Sequence, residues 1–240
     1  LSSFQTGVTK DVLEGLALSF AAALFYFLLM LPVTKLLRKP LKLNCVEELS
    51  VYFPNAGYLT FPLVIAVFGS SNLIYATGLY CLSVVFQWTH GVSSMKKERG
   101  VNLKAIVTNL NLIVIVISLV LMLTGVRFPD IIGDTISSAD SIIGPLSMLI
   151  TGMLIGGRSL KELLSYKRMP VVLLLRLVAV PLLFLVIFKL SGVGHMFEIG
   201  ERVLLISMFA VAAPAAATVT QFAAVFGEDA PYASAINLVS

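Results

Sequence analysis

The sequence predicts an all-α polytopic membrane protein in which two helices are broken in matching places. Three observations carry this. Hydrophobic residues make up 58% of the 240 residues and charged ones 12%, with mean hydropathy +0.96; a soluble domain carries roughly twice that charge. Leu, Ile, Val and Phe come in blocks of about 20, the length of a helix that crosses a bilayer's hydrocarbon core. Two blocks are then interrupted where no such helix should be, in FPNAGYLTFPLVIAVFG (Phe53–Gly69) and FAVAAPAAATVTQFAAVFG (Phe209–Gly227).

Apolar runs bounded by charge, glycine or proline predict eight spans. They are Asp11–Leu37, Val46–Phe68, Leu73–Met95, Leu103–Val126, Ile136–Gly156, Val171–Leu190, Val203–Phe226 and an unfinished Pro231–Ser240. Basic residues set the orientation. Lys35, Arg38, Lys39 and Lys42 follow the first span; Lys96, Lys97, Arg99 and Lys104 follow the third; Arg158, Lys161, Lys167 and Arg168 follow the fifth. Only Lys10, Arg127, Lys189 and Arg202 fall on the other side, so the twelve-residue side is cytoplasmic. The start at Leu1 and the stop ten residues into a new apolar segment read as an internal piece of a longer chain.

The two interrupted segments form a pair. AVFGSSNLIYAT (Ala66–Thr77) and AVFGEDAPYAS (Ala224–Ser234) share AVFG and then Tyr-Ala-Thr/Ser. By the charge bias the first copy turns outside and the second inside, so one unit occurs twice in opposite orientations. Inverted repeats with interrupted helices at matching places are the pattern of secondary transporters. Pro62 and Pro214 each remove a backbone donor and push off the preceding turn, and Gly57 permits backbone shapes that a helix does not. The freed polar groups must be buried in protein or line a wet cavity. Half-helix N-termini there supply partial positive charge for an anion without a buried lysine.

Other chemistries find little support. The net charge of +4 and pI near 9.1 belong to cytoplasmic loops, and no basic tract or base-stacking motif points to nucleic acid. Cys45 and Cys81 make no spaced pair for zinc, redox chemistry or a disulfide. No nucleophile–base pair or metal cluster suggests an enzyme, and neither cofactor nor metal is expected. His90 and His195 have no acidic partner at useful spacing; Asp130, Asp134 and Asp140 read as a solvated exterior connection. No Asp or Glu is expected inside a span.

Several stretches, taken in order, resemble the auxin efflux carrier family of membrane transporters in its short prokaryotic form. FPNAGYLTFPL (Phe53–Leu63) resembles the family's first crossover, and YATGLYCLSVVFQWTHGV (Tyr75–Val92) the helix after it. GPLSMLITGMLIG (Gly144–Gly156) and LLLRLVAVPLL (Leu173–Leu183) resemble later helices, and AAPAAATVTQFAAVFGEDAPYAS the second crossover. Asn109-Leu110 and Ala213 depart from the family's usual Asn-Pro and Met. The resemblance implies ten spans in two five-helix inverted repeats, of which this chain holds about eight. It implies transport-domain helices over 11–95 and 169–240, and scaffold helices over 103–156 through which a homodimer forms. It further implies a plasma (inner) membrane carrier that moves a small organic anion such as a carboxylate by elevator-type alternating access. A sodium-coupled carrier of bile-acid type and a non-transporting scaffold or receptor are the alternatives.

The candidate substrate-binding residues follow from the breaks. Asn55 leads, because an amide in mid-membrane is costly unless paired. Gly57, Thr60, Pro62, Gln87, Pro214, Thr218 and Gln221 join it, with Thr220 a weaker neighbour, since threonines in membrane helices often bond their own backbone. Away from the span ends, Arg176 reads as the one charge embedded within a span. It lies about 9 Å along its helix from Pro170 at 1.5 Å per residue, within snorkelling reach of the cytoplasmic surface. That favours a structural role over an anion site.

Overall fold

The computed structural model describes residues 9–57, 59–96, 108, 110–124, 126, 129–156, 166–196 and 198–240. Among them the chain is helical, and the only β pairing is an isolated bridge. The helices are α1 (Lys10–Leu41), α2 (Cys45–Tyr52), α3 (Thr60–Phe68), α4 (Leu73–Phe86), α5 (Val92–Lys96), α6 (Leu110–Thr124) and α7 (Asp130–Gly156). There follow α8 (Met169–Leu174), α9 (Val180–Ser191), α10 (Gly200–Ala212), α11 (Ala217–Phe226) and α12 (Ala230–Val239). Single π-turns, Gln87–Gly91 and Leu175–Ala179, join α4 to α5 and α8 to α9 without ending the helix.

Among the described residues two helices are long and apolar enough to cross a membrane, Lys10–Leu41 with 32 residues and Met169–Ser191 with 23. Their outer faces stay apolar: Val171, Leu174, Val178, Leu182 and Leu185 are exposed at spacings of three and four, a stripe suited to lipid or to further helices. The opposite face, Val172, Arg176, Val180 and Phe184, is buried. The second and seventh predicted spans are each two short helices, α2 with α3 and α10 with α11. Helix α7 begins at Asp130 rather than Ile136, so Asp130 and Asp134 sit on an exposed first stretch of helix and not in a connection. Asn109 and the stretches around Arg99 and Lys161, expected as cytoplasmic loops, lie outside the described residues.

The shared AVFG ends a helix both times. Gly69 and Gly227 follow Phe68 and Phe226 with φ of +84° and +74°, a backbone region that glycine enters without a Cβ penalty.

Close approach of α1 and α4 fixes one side of the bundle. Ser19 Oγ donates to the Tyr75 carbonyl at 2.6 Å, and a Cβ on Gly78 would meet Ser19 Oγ and stand 2.8 Å from the Ser19 carbonyl carbon. Small residues permit such contact between membrane helices. Gly78→Ala is therefore expected to cost roughly 1–3 kcal/mol through overpacking, read as a lower thermal midpoint in detergent; an unchanged midpoint would show that α1 and α4 separate freely.

The core gathers where the two interrupted segments cross. Tyr26, Phe27, Met30, Tyr52, Phe53 and Phe184 are fully buried there. Phe27 stacks on Phe86 at 4.8 Å between ring centroids, and Tyr26 lies 4.8 Å from Phe184.

Candidate functional site

The two breaks are hydrogen-bonded to each other. Asn55 N–H donates to the Pro214 carbonyl at 2.8 Å, and Ala216 N–H to the Phe53 carbonyl at 3.0 Å. Pro54 thus faces Ala215 in a two-bond antiparallel bridge. The proline at the first break is Pro54; Pro62 sits in the first turn of α3, where its missing N–H has no helical partner to lose, and its side chain is exposed. Gly57 is not in the positive-φ region. Its need is space, since a Cβ there would lie 2.8 Å from the Tyr80 ring.

Side chains satisfy further carbonyls at the crossing, as burial demands. Thr60 Oγ1 donates to the Asn55 carbonyl at 3.1 Å, and Tyr26 Oη to the Tyr52 carbonyl at 2.9 Å. From α12, Asn237 Nδ2 donates to the Ala215 carbonyl at 2.5 Å, while Ser240 Oγ accepts from Ala215 N–H at 3.2 Å.

Arg176 takes three more carbonyls, those of Val51, Val211 and Ala213. Its Nε and Nη2 donate to the Ala213 carbonyl at 3.0 and 2.8 Å, Nη2 also to Val211, and Nη1 to the Val51 carbonyl and Tyr26 Oη at 3.2 and 2.9 Å. The side chain is fully buried and does not snorkel, because it points along the Val172–Phe184 face into the crossing. One guanidinium therefore caps the C-terminal ends of both α2 and α10.

A cavity of about 310 Å³ opens beside the bridge, between the Tyr80–Trp88 stretch and α11, and runs to the α11 C-terminal end at Phe226. Five of the residues selected from sequence line it: Asn55, Gly57, Gln87, Thr218 and Gln221. Thr60 and Pro214 instead line a second, mostly apolar cavity between α3 and α10, and Pro62 lines neither. Thr220 is buried behind α11, its hydroxyl without a partner among the described residues. The side chains of Asn55, Thr218 and Gln221 make no hydrogen bond to a described residue, and Gln87 Nε2 donates to Ser83 Oγ at 2.9 Å. The N-terminus of α11 faces the same space, its N-cap Ala216 having no side chain to cap the N–H groups of Ala217 and Thr218. The N-terminus of α3 faces the second cavity instead.

Sequence reading passed over Tyr80, Ser83 and Trp88, which also line the main cavity. Helical spacing was the signal, because Tyr80 and Ser83 stand seven and four residues before Gln87 and share its face. Asn237 had a signal too: it follows the second Tyr-Ala by the same interval as Tyr80 follows the first.

The expectation of no acidic residue inside a span is corrected. Glu47 and Glu48 open α2, within the second predicted span, and both are buried. Glu47 accepts from Arg168 Nε at 2.7 Å and Nη2 at 3.0 Å, from Asn44 N–H at 2.9 Å and from Tyr232 Oη at 3.0 Å. Arg168 also donates to the carbonyls of Leu41 and Lys42, and Glu48 pairs with Arg38 at 3.1 Å. The carboxylates are tolerable in this position because each is paired.

A family model described as membrane transport protein matches residues 99–240, more than half of the chain and including the second break. The chain belongs to this family of auxin efflux carrier-type membrane transport proteins. No curated protein and no solved structure matches it. As a member of a membrane transport family it is an integral membrane protein, and its candidate site lies on the break that the match includes and on the one that precedes the match.

Proposed function

We propose that this chain forms the substrate-binding part of a secondary transporter that carries a small organic anion, such as a carboxylate, across the membrane. The supporting observation is the cavity at the crossing. It offers unpartnered amides, a hydroxyl and the free N–H groups of a helix N-terminus, all able to donate to an anion, and no lining residue is acidic. The cavity runs along α11 to Phe226, over whose ring Lys96 Nζ stands at 5.7 Å from the centroid. By the loop charges that end is cytoplasmic, so this conformation presents the site inward. Alternating access would follow if the crossing and its supporting helices, 11–95 and 169–240, slide as one body against the 103–156 helices, the elevator arrangement. In this reading those scaffold helices carry the homodimer, in the plasma (inner) membrane.

Uptake of acetate, benzoate, malonate and malate by the full-length protein in liposomes, with and without a pH gradient, tests the proposal. Movement of at least one of them above protein-free liposomes is expected. If none binds or moves, the reading fails.

A further inference from the structure

The geometry points to Arg176 as an electrostatic positioning residue for the anion site: its charge cancels the negative ends of two half-helices and leaves the positive end of α11 unopposed at the cavity. Each helix C-terminus carries about −0.5 elementary charge, and each N-terminus about +0.5. At the crossing, the C-termini of α2 and α10 converge on one guanidinium through the carbonyls of Val51, Val211 and Ala213. Two such ends sum to about −1 and balance the single positive charge of Arg176. No carboxylate pairs with Arg176 among the described residues. Buried cations are ordinarily matched by an anion; here the backbone supplies it.

The consequence reaches the cavity, although Arg176 does not line it. Ala216, at the cavity, is three residues from Ala213, a chain distance of at most about 11 Å. A unit charge at that range, with an effective dielectric near 20, alters anion occupancy by roughly tenfold; partial screening by salt lowers this to about threefold. Without the arginine charge, the two uncapped C-termini would repel an anion from the place where the α11 N–H groups await it. The π-turn Leu175–Ala179 carries Arg176 within α8–α9, and such turns occur often at functional sites.

This inference rests on the cavity being an anion site, and the experiment separates the two. Trp88 is the one tryptophan of the 240 residues and lines the cavity. Its quenching by iodide and by neutral acrylamide is measured in the full-length protein, with any tryptophan outside these residues replaced by phenylalanine. The wild-type iodide-to-acrylamide ratio is expected to exceed that of free N-acetyltryptophanamide. Arg176→Gln and Arg176→Met are expected to lower it threefold to tenfold with acrylamide quenching unchanged, and Arg176→Lys to keep it. A purely structural role would move both quenchers together. A wild-type ratio no higher than the free indole's sinks the anion site itself. A folded Gln or Met variant that keeps the ratio, or a folded Lys variant that loses it, overturns the role of Arg176 alone. So does failure of both neutral variants to fold, which would make the charge a requirement of folding only.

Discussion

Asn55→Ala is expected to lower carboxylate uptake by roughly ten- to a hundredfold while leaving the thermal midpoint of the protein nearly unchanged. The asymmetry follows from where this residue's bonds go. Its backbone is part of the crossing, with the N–H on Pro214 and the carbonyl receiving Thr60 Oγ1, and alanine preserves both. Its side-chain amide lines the cavity and bonds to no described residue, so removing it takes nothing from the folded protein. A hydrogen bond to a charged partner contributes about 1.5–3 kcal/mol, which at 1.4 kcal/mol per tenfold gives the stated loss. Uptake in liposomes and thermal unfolding of the same detergent-purified variant check the two halves. Unchanged uptake would remove Asn55 from the site and favour a scaffold or receptor; a collapsed midpoint would make it a structural amide.

Arg168→Ala is expected to produce the largest loss of stability at the basic end of the bundle, about 2–3 kcal/mol. Breaking a fully buried pair by deleting one partner costs about 3–5 kcal/mol, because the other charge is left uncompensated. Arg168 is 46% exposed while Glu47 is 0%, so water recovers part of the loss. The variant also frees the Leu41 and Lys42 carbonyls at the end of α1. Adding Glu47→Gln is expected to restore part of the midpoint, since a neutral amide no longer needs the arginine; the two changes should then be markedly non-additive. Simple additivity in the double variant would show that Arg168 acts through the α1 carbonyls and not through Glu47.

Local chemistry made the breaks legible. FPNAG and AAPAA cannot continue a helix in comfort, and a glycine after AVF gives both half-helices their ending, because proline's lost donor and glycine's φ are properties of single residues. The cavity-facing side of α4 was legible in part. Gln87 marked it, and Tyr80 and Ser83 follow from helical spacing alone. By contrast, Pro62 was selected for the backbone donor it lacks, which by itself does not locate the break. Only the pairing with Ala215 distinguishes Pro54 as the residue at the crossing.

Arg176 and Glu47 show why the rest was hidden. Arg176 was judged from its distance along the helix to Pro170, which measures depth but not direction. Arg176 was given a route to the cytoplasmic surface, yet its partners are residues 26, 51, 211 and 213, up to 150 positions away. Glu47 was overlooked beside the basic loop that follows α1. It is buried because Arg168 and Tyr232, 121 and 185 residues on, close over it. The sequence by itself determined an all-helical, apolar chain of a membrane transport family with two interrupted helices, since composition, length and turn chemistry are local quantities. The tertiary structure decided which carbonyls meet the buried arginine, which carboxylate is paired, and which polar side chains are left free beside the crossing. Those outcomes depend on contacts between distant segments, which local propensity does not encode.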